Sequence, residues 1–112
     1  MDLFRIKMKE DFNNLGFEID GVLHLTGKQA LFCIQNGAIL VDVREDFEIA
    51  IKNFGISNIL LCPYTDFDKL YKTLPKDKAL ILADCVGLRS KEAVKNLMED
   101  GYTKVANLIG GI

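Results

Sequence analysis

Apolar and polar positions along this chain alternate between two patterns. Short continuous apolar runs are separated by stretches whose apolar residues return every three or four positions. Residues 22–25 read as a short strand. Thr26 then caps a helix in which Ala30, Leu31, Cys33 and Ile34 share one face, and Asn36-Gly37 ends it in the left-handed way. Residues 38–42 form an unbroken apolar run closed by Asp42, as expected of a strand covered on both faces. A short helix is expected over 45–52, a strand over 59–62 stopped by Pro63, and a helical stretch over 65–72. The lysines at 72, 76 and 78 and Pro75 read as a solvated surface loop. Residues 79–83 make the best central strand. The helix placed after Ser90 puts Ala93, Val94, Leu97 and Met98 on one stripe, and Gly101 stops it. Residues 104–108 form the last strand.

Strand and helix in this rhythm predict an α/β fold, a largely parallel sheet with helices on both faces. Ligands of such sheets bind at the carboxyl ends of the strands, where loops lead into helices. Residues 84–89 and residues 43–45 both fall at such ends, so Arg44 and Arg89 are expected at one edge. Residues 1–21 are expected to form an extension packed on a domain of residues 22–112. There Phe4, Ile6, Met8, Phe12 and Leu15 would place a short helix or strand against the body. A chain of 112 residues, 49% hydrophobic, suffices for one core and not for two.

Charge excludes several functions. With 14 basic and 16 acidic residues interspersed, no basic patch exists for nucleic acid or for an anionic membrane surface. Apolar runs of about five residues are far too short to span a bilayer. The first ten residues carry charges throughout and show no apolar core of a signal peptide. Three widely spaced cysteines, at 33, 62 and 85, form no pair motif and no metal spacing with the lone His24. The expectation is a reduced, cytoplasmic protein without a metal.

The segment from Ala79 to Ser90 carries the chemistry. An apolar strand enters a short polar turn containing Asp84, Cys85, Val86, Gly87, Leu88 and Arg89, and the turn feeds a helix. Backbone N–H groups and the positive helix end converge on whatever side chain starts such a loop. A thiol held there ionises more readily than a free one, so Cys85 is the candidate nucleophile. Cys33 and Cys62 lie in apolar patterns and are expected in the core, and His24 is expected to be packed or on the surface.

Three motifs in order resemble a rhodanese-like domain: Asp42-Val43-Arg44-Glu45, then Val86-Gly87-Leu88-Arg89-Ser90 followed by Lys91-Glu92-Ala93-Val94, then Val105 to Gly111. The resemblance covers about residues 22–112. It implies a three-layer sandwich around a five-stranded, mainly parallel sheet, and sulfane-sulfur transfer without metal or organic cofactor. In that chemistry a loop cysteine thiolate takes sulfur from thiosulfate or a persulfide and passes it to cyanide, a small thiol or a thiol-bearing protein. Cys85 would be catalytic, residues 84 and 86–90 would form the anion-binding loop, and Asp42 and Arg44 would support it.

The loop departs from the family pattern Cys-x-x-Gly-x-Arg-Ser. Three residues before Gly87 stands Asp84, and Cys85 comes one place late. In the family register a carboxylate fills the nucleophile's position, accepts the loop N–H groups itself and cannot form a persulfide. In a loop shortened by one residue, Asp84 ends the strand and Cys85 starts the cradle. The first register describes a binding or regulatory module, the second a sulfurtransferase. Asn53-Phe-Gly-Ile-Ser-Asn58 also replaces the family's Gly-His-Ile-Pro-Gly-Ala segment. A phosphatase of related architecture needs about five residues between cysteine and arginine to wrap a phosphate. Three separate Cys85 from Arg89 here, which excludes it. For Arg89, pairing with Asp42, Asp84 or Glu45 competes with binding an anionic donor. Asp42 is expected to anchor backbone N–H groups at its strand end.

Overall fold

A computed structural model describes residues 15–45, 59–84 and 88–109. Six strands form one sheet: β1 (Phe17–Ile19), β2 (Val22–Leu25), β3 (Ile39–Asp42), β4 (Ile59–Leu61), β5 (Leu80–Ala83) and β6 (Val105–Leu108). Their order across the sheet is β1-β2-β6-β5-β3-β4, with every pair parallel except β1 with β2. The expected count of five strands is corrected to six. The extra strand lies inside the N-terminal segment, where Asp20 (φ 53°) and Gly21 (φ 78°) turn the chain back on itself. The other expected elements of that segment, with Phe4, Ile6, Met8 and Phe12, lie outside the described residues, while Leu15 packs against the core.

Among the described residues three α-helices cover the sheet: α1 (Gly27–Gln35), the single turn α2 (Phe67–Leu70) and α3 (Leu88–Glu99). Alternation along the strands sorts the core into two layers. Leu23, Leu25, Leu40, Ile81, Ala83, Ala106 and Leu108 pack against Ala30 and Cys33 of α1. Val22, Val41, Leu80, Leu82 and Val105 pack on the other side against Phe67 and against Ala93, Val94 and Leu97 of α3. The arrangement is a three-layer sandwich, and β5 and β6, buried along their whole length, account for the apolar runs.

Thr26 caps α1 as expected: its hydroxyl accepts the Gln29 N–H, and the Gln29 side chain accepts the Thr26 N–H. Gly37, at φ 104°, ends it. The buried stripe of α1 is narrower than expected, because Leu31 is half exposed. Met98 likewise leaves the stripe of α3, whose inward residues are Ser90, Ala93, Val94 and Leu97. The stretch expected as one helix over 65–72 divides into a 3₁₀ turn (Tyr64–Asp66), α2 and a second 3₁₀ turn (Tyr71–Thr73). Pro63 holds the entry extended, and the segment is too short for cooperative α-helix. Residues 46–58, which include all but the first residue of the helix expected over 45–52, lie outside the described residues.

The connections from β3 run outward to β4, and those from β5 run the opposite way to β6. The carboxyl ends of β3 and β5 therefore flank the point where the winding reverses, which is where open parallel sheets bind ligands. Val43 N–H donates to the Ala83 carbonyl at 3.0 Å and Tyr64 N–H to the Val43 carbonyl at 2.9 Å, so backbone bonds continue past the strand ends and stiffen this edge.

Candidate functional site

Asp84 leaves β5 at that edge with no solvent exposure. A buried carboxylate needs hydrogen-bond donors around it. The beginning of α3 supplies them: Oδ2 accepts the N–H of Arg89 at 2.8 Å and that of Ser90 at 3.3 Å. These belong to the second and third residues of the helix, two of the four N–H groups without an intrahelical partner. Their engagement accounts for α3 beginning at Leu88, ahead of the start after Ser90 that the sequence pattern suggested. The Arg89 guanidinium adds an ion pair, Nε to Oδ2 at 3.5 Å, while remaining 30% exposed. Leu88 projects into solvent, 70% exposed. Cys85, Val86 and Gly87 lie outside the described residues.

The neighbouring strand end is held by its own pair. Asp42 Oδ1 accepts the Arg44 N–H at 3.0 Å, the backbone anchoring expected of it. The Arg44 side chain folds back on the same carboxylate, Nε at 3.0 and 3.2 Å from the two oxygens and a terminal nitrogen at 2.8 Å from Oδ2. Both residues are 1% exposed, so this guanidinium is spent inside the fold. Of the two arginines expected at the edge, Arg89 alone reaches solvent. Glu45 accepts the N–H and hydroxyl of Thr65, at 3.1 and 2.6 Å, and ties this loop to the turn before α2.

One group of polar residues was not anticipated as a unit. His24, from β2, and Asn107, from β6, are register partners and lie buried on the face that carries α3. Asn107 Nδ2 is 3.1 Å from His24 Nδ1, and the Ser90 hydroxyl donates to Asn107 Oδ1. The Phe17 ring stacks on the imidazole with centroids 5.6 Å apart. Burial pushes the His24 pKa below its ordinary value, the nearby Lys91 ammonium adds to this, and Asp20 opposes it. His24 is thus packed, one of its two expected fates. The available signal was a histidine and an asparagine interrupting apolar strands, since buried polar groups require partners.

Cys33 and Cys62 are buried in apolar surroundings that push both thiols up to about 11, the latter with help from Asp66. They are core residues, as expected, and carry little thiolate at neutral pH. Among the described residues no cluster of three His, Cys, Asp or Glu could hold a metal ion, and no helix is long and apolar enough to cross a membrane. A groove of about 570 Å³, lined by Phe17, Leu23, Met98 and Tyr102 among others, lies at the β1–β2 side of the sheet.

A mainly parallel α/β sandwich, with helices on both faces and a helix start that holds the carboxylate ending the central strand, defines the class of this fold. Within that class the chain belongs to the rhodanese-like family. It is 31% identical over 88 residues to the thiosulfate sulfurtransferase GlpE of Haemophilus influenzae, covering 78% of this chain and 81% of that protein. It is 36% identical over 74 residues to a sulfurtransferase of Allochromatium vinosum, covering 66% and 67%. The fold superposes on a rhodanese-related protein from Thermoplasma volcanium with a TM-score of 0.70 at 26% identity, over 79% of this chain and 84% of that one. No protein-family model matches the chain.

Proposed function

We propose that this domain handles sulfane sulfur through Cys85, loading it slowly and favouring a persulfide or thiol-borne donor over free thiosulfate. Membership of a family of sulfurtransferases supports the chemistry. The limit on rate rests on one observation: the Arg89 and Ser90 N–H groups already hold the Asp84 carboxylate. A dianion arriving at this helix start meets a buried negative charge, and the guanidinium of Arg44 is committed to Asp42. In the reaction the Cys85 thiolate attacks the outer sulfur of the donor, and sulfite or a thiolate leaves with the bonding electron pair. An acceptor thiolate then attacks the outer sulfur of the Cys85 persulfide and regenerates the Cys85 thiolate. Sulfur moves at constant overall oxidation state, so no external oxidant or reductant is involved. Acceptance from, or delivery to, a thiol-bearing protein fits this scheme, as does action in a reducing cytoplasm.

The test is mass spectrometry of the whole chain after incubation with a persulfide donor. One added sulfur on the Cys85 peptide is expected, retained in Cys33→Ala and Cys62→Ala and absent in Cys85→Ala. A Cys85 peptide that never gains sulfur would overturn the proposal.

The same Asp84 observation favours a second reading, a module that keeps the fold and binds without turnover. Here Asp84 stands where the nucleophile would be. The double variant Asp84→Cys with Cys85→Ala separates the two. Thiosulfate:cyanide transfer gained in that variant, with no sulfur taken up by the wild type, establishes the binding module. Sulfur on wild-type Cys85 excludes it.

A further inference from the structure

His24, Asn107 and Ser90 do more than satisfy one another. Asn107 has an amide with two different ends, and both are occupied. Its carbonyl accepts the Ser90 hydroxyl proton, and its NH2 faces His24 Nδ1 at 3.1 Å. With the amide in this orientation, its NH2 matches a lone pair on Nδ1, which corresponds to a neutral imidazole with its proton on Nε2. That nitrogen is buried and has no hydrogen-bond partner among the described residues. An imidazole held this way has a defined tautomer and no stabilising acceptor for a second proton.

We propose that His24, Asn107 and Ser90 form a directional hydrogen-bond relay under the active loop, in which the charge on the imidazole sets where the Ser90 hydroxyl points. When Nδ1 gains a proton it becomes a donor facing the donor NH2. The amide then turns over, presenting its oxygen to Nδ1–H and its NH2 to the Ser90 oxygen. The Ser90 proton must find another acceptor, and the Asp84 carboxylate, which already holds the Ser90 N–H at 3.3 Å, is the charged one at hand. A further hydrogen bond would draw Asp84 toward α3 and shift the first turn of the helix. His24 is thus a positioning residue for the loop, acting through two others. The charged groups acting on it are Lys91 from α3 and Asp20 from the β1–β2 turn, which pair with each other at 3.2 Å. Among the described residues, β6 faces it with the Asn107 amide and β1 with the Phe17 ring.

The chain has a single histidine, so its imidazole signals are unambiguous. Proton–nitrogen correlation spectra of the full chain, followed through a pH titration, test the relay without any enzymatic readout. The expected result is the Nε2–H tautomer at high pH and a His24 midpoint below 6.5. The backbone amides of Arg89 and Ser90 and the side-chain amide of Asn107 should move with that same midpoint. In His24→Gln, which keeps a group able to meet the Asn107 NH2 and does not titrate, those movements should vanish. Arg89 and Ser90 amides that ignore the His24 midpoint, or that still titrate in His24→Gln, would overturn the relay, as would an Nδ1–H tautomer at high pH.

The consequence for sulfur loading rests on the function proposed above. The ratio of wild-type to His24→Gln loading rates should change by about threefold to tenfold across the midpoint, the equivalent of one hydrogen bond. A constant ratio would show that the relay does not reach Cys85. Absence of loading at every pH in both proteins overturns the sulfur reading, and the spectra still decide the relay.

Discussion

Replacing Asp84 by alanine tests whether a carboxylate, rather than the loop backbone alone, organises the start of α3. Among the described residues two N–H groups, those of Arg89 and Ser90, lose their acceptor. The Ser90 N–H is fully buried, so its loss costs about 1–3 kcal/mol as an unsatisfied donor. The Arg89 N–H is only part-buried, and water can replace much of its bond, leaving about 0.5–1 kcal/mol. The Arg89 guanidinium is 30% exposed and rehydrates, so the ion pair adds little. Relief from burying a charge offsets part of the total. The balance is about 2 kcal/mol of destabilisation, equivalent to a fall in Tm of about 10 °C for a domain of this size. Asp84→Asn keeps an acceptor oxygen without the charge and should lose about half as much. Thermal and urea denaturation followed by circular dichroism at pH 7 measure both. Asp84→Ala within about 0.5 kcal/mol of wild type would refute the reasoning, because it would mean those amides never depended on the side chain.

Asp42→Asn removes the charge of a carboxylate that pairs with Arg44 inside the fold and should cost about 3–5 kcal/mol in urea denaturation. The double variant Asp42→Leu with Arg44→Met should lose much less, and equal losses would contradict the pairing. Gly16→Ala would put a Cβ 1.9 Å from the His24 carbonyl oxygen, so the β1–β2 hairpin must shift, at about 1–3 kcal/mol by the same assay. An unchanged midpoint would disprove that contact. Stability should also depend on pH through His24. Its folded pKa lies below 6.5, so between 6.5 and that lower value the unfolded chain binds more protons. Stability is therefore fully present above 6.5, declines as the pH falls through this window, and levels off for this group below the folded pKa. Denaturation at several pH values should show a decline that is smaller in His24→Gln, and an equal decline in both would locate it elsewhere.

Some of this molecule could be read from residue order alone. Thr26 and Gln29 stand three apart before an apolar face, and a reciprocal cap forms between neighbours whatever the rest of the chain does. The unbroken runs at 79–83 and 104–108 can be hidden from water only by layers on both sides, which implies the parallel sandwich. Asp42 and Arg44 are two residues apart at a strand end, and Asp84 lies five and six residues before its partners, so both arrangements are local and were within reach of the sequence. The strand that extends the sheet was harder to read, because β1 exposes all three of its residues and carries no burial signature. The limits of the buried stripes, which left Leu31 and Met98 in solvent, depend on how far each helix leans on its neighbours.

What residue order by itself determined, then, is the alternation of elements, the caps of α1 and the carboxylate held at the end of the central strand. Each of these depends on residues within about six positions of one another or on the periodicity of one segment. Tertiary structure alone decided that Arg44 turns inward and Arg89 outward, and that a histidine from β2 meets an asparagine 83 positions away, which in turn holds a serine on α3. No local pattern encodes those meetings. They exist because the winding order sets β2 beside β6 and lays α3 across both, and polar groups buried there must find each other.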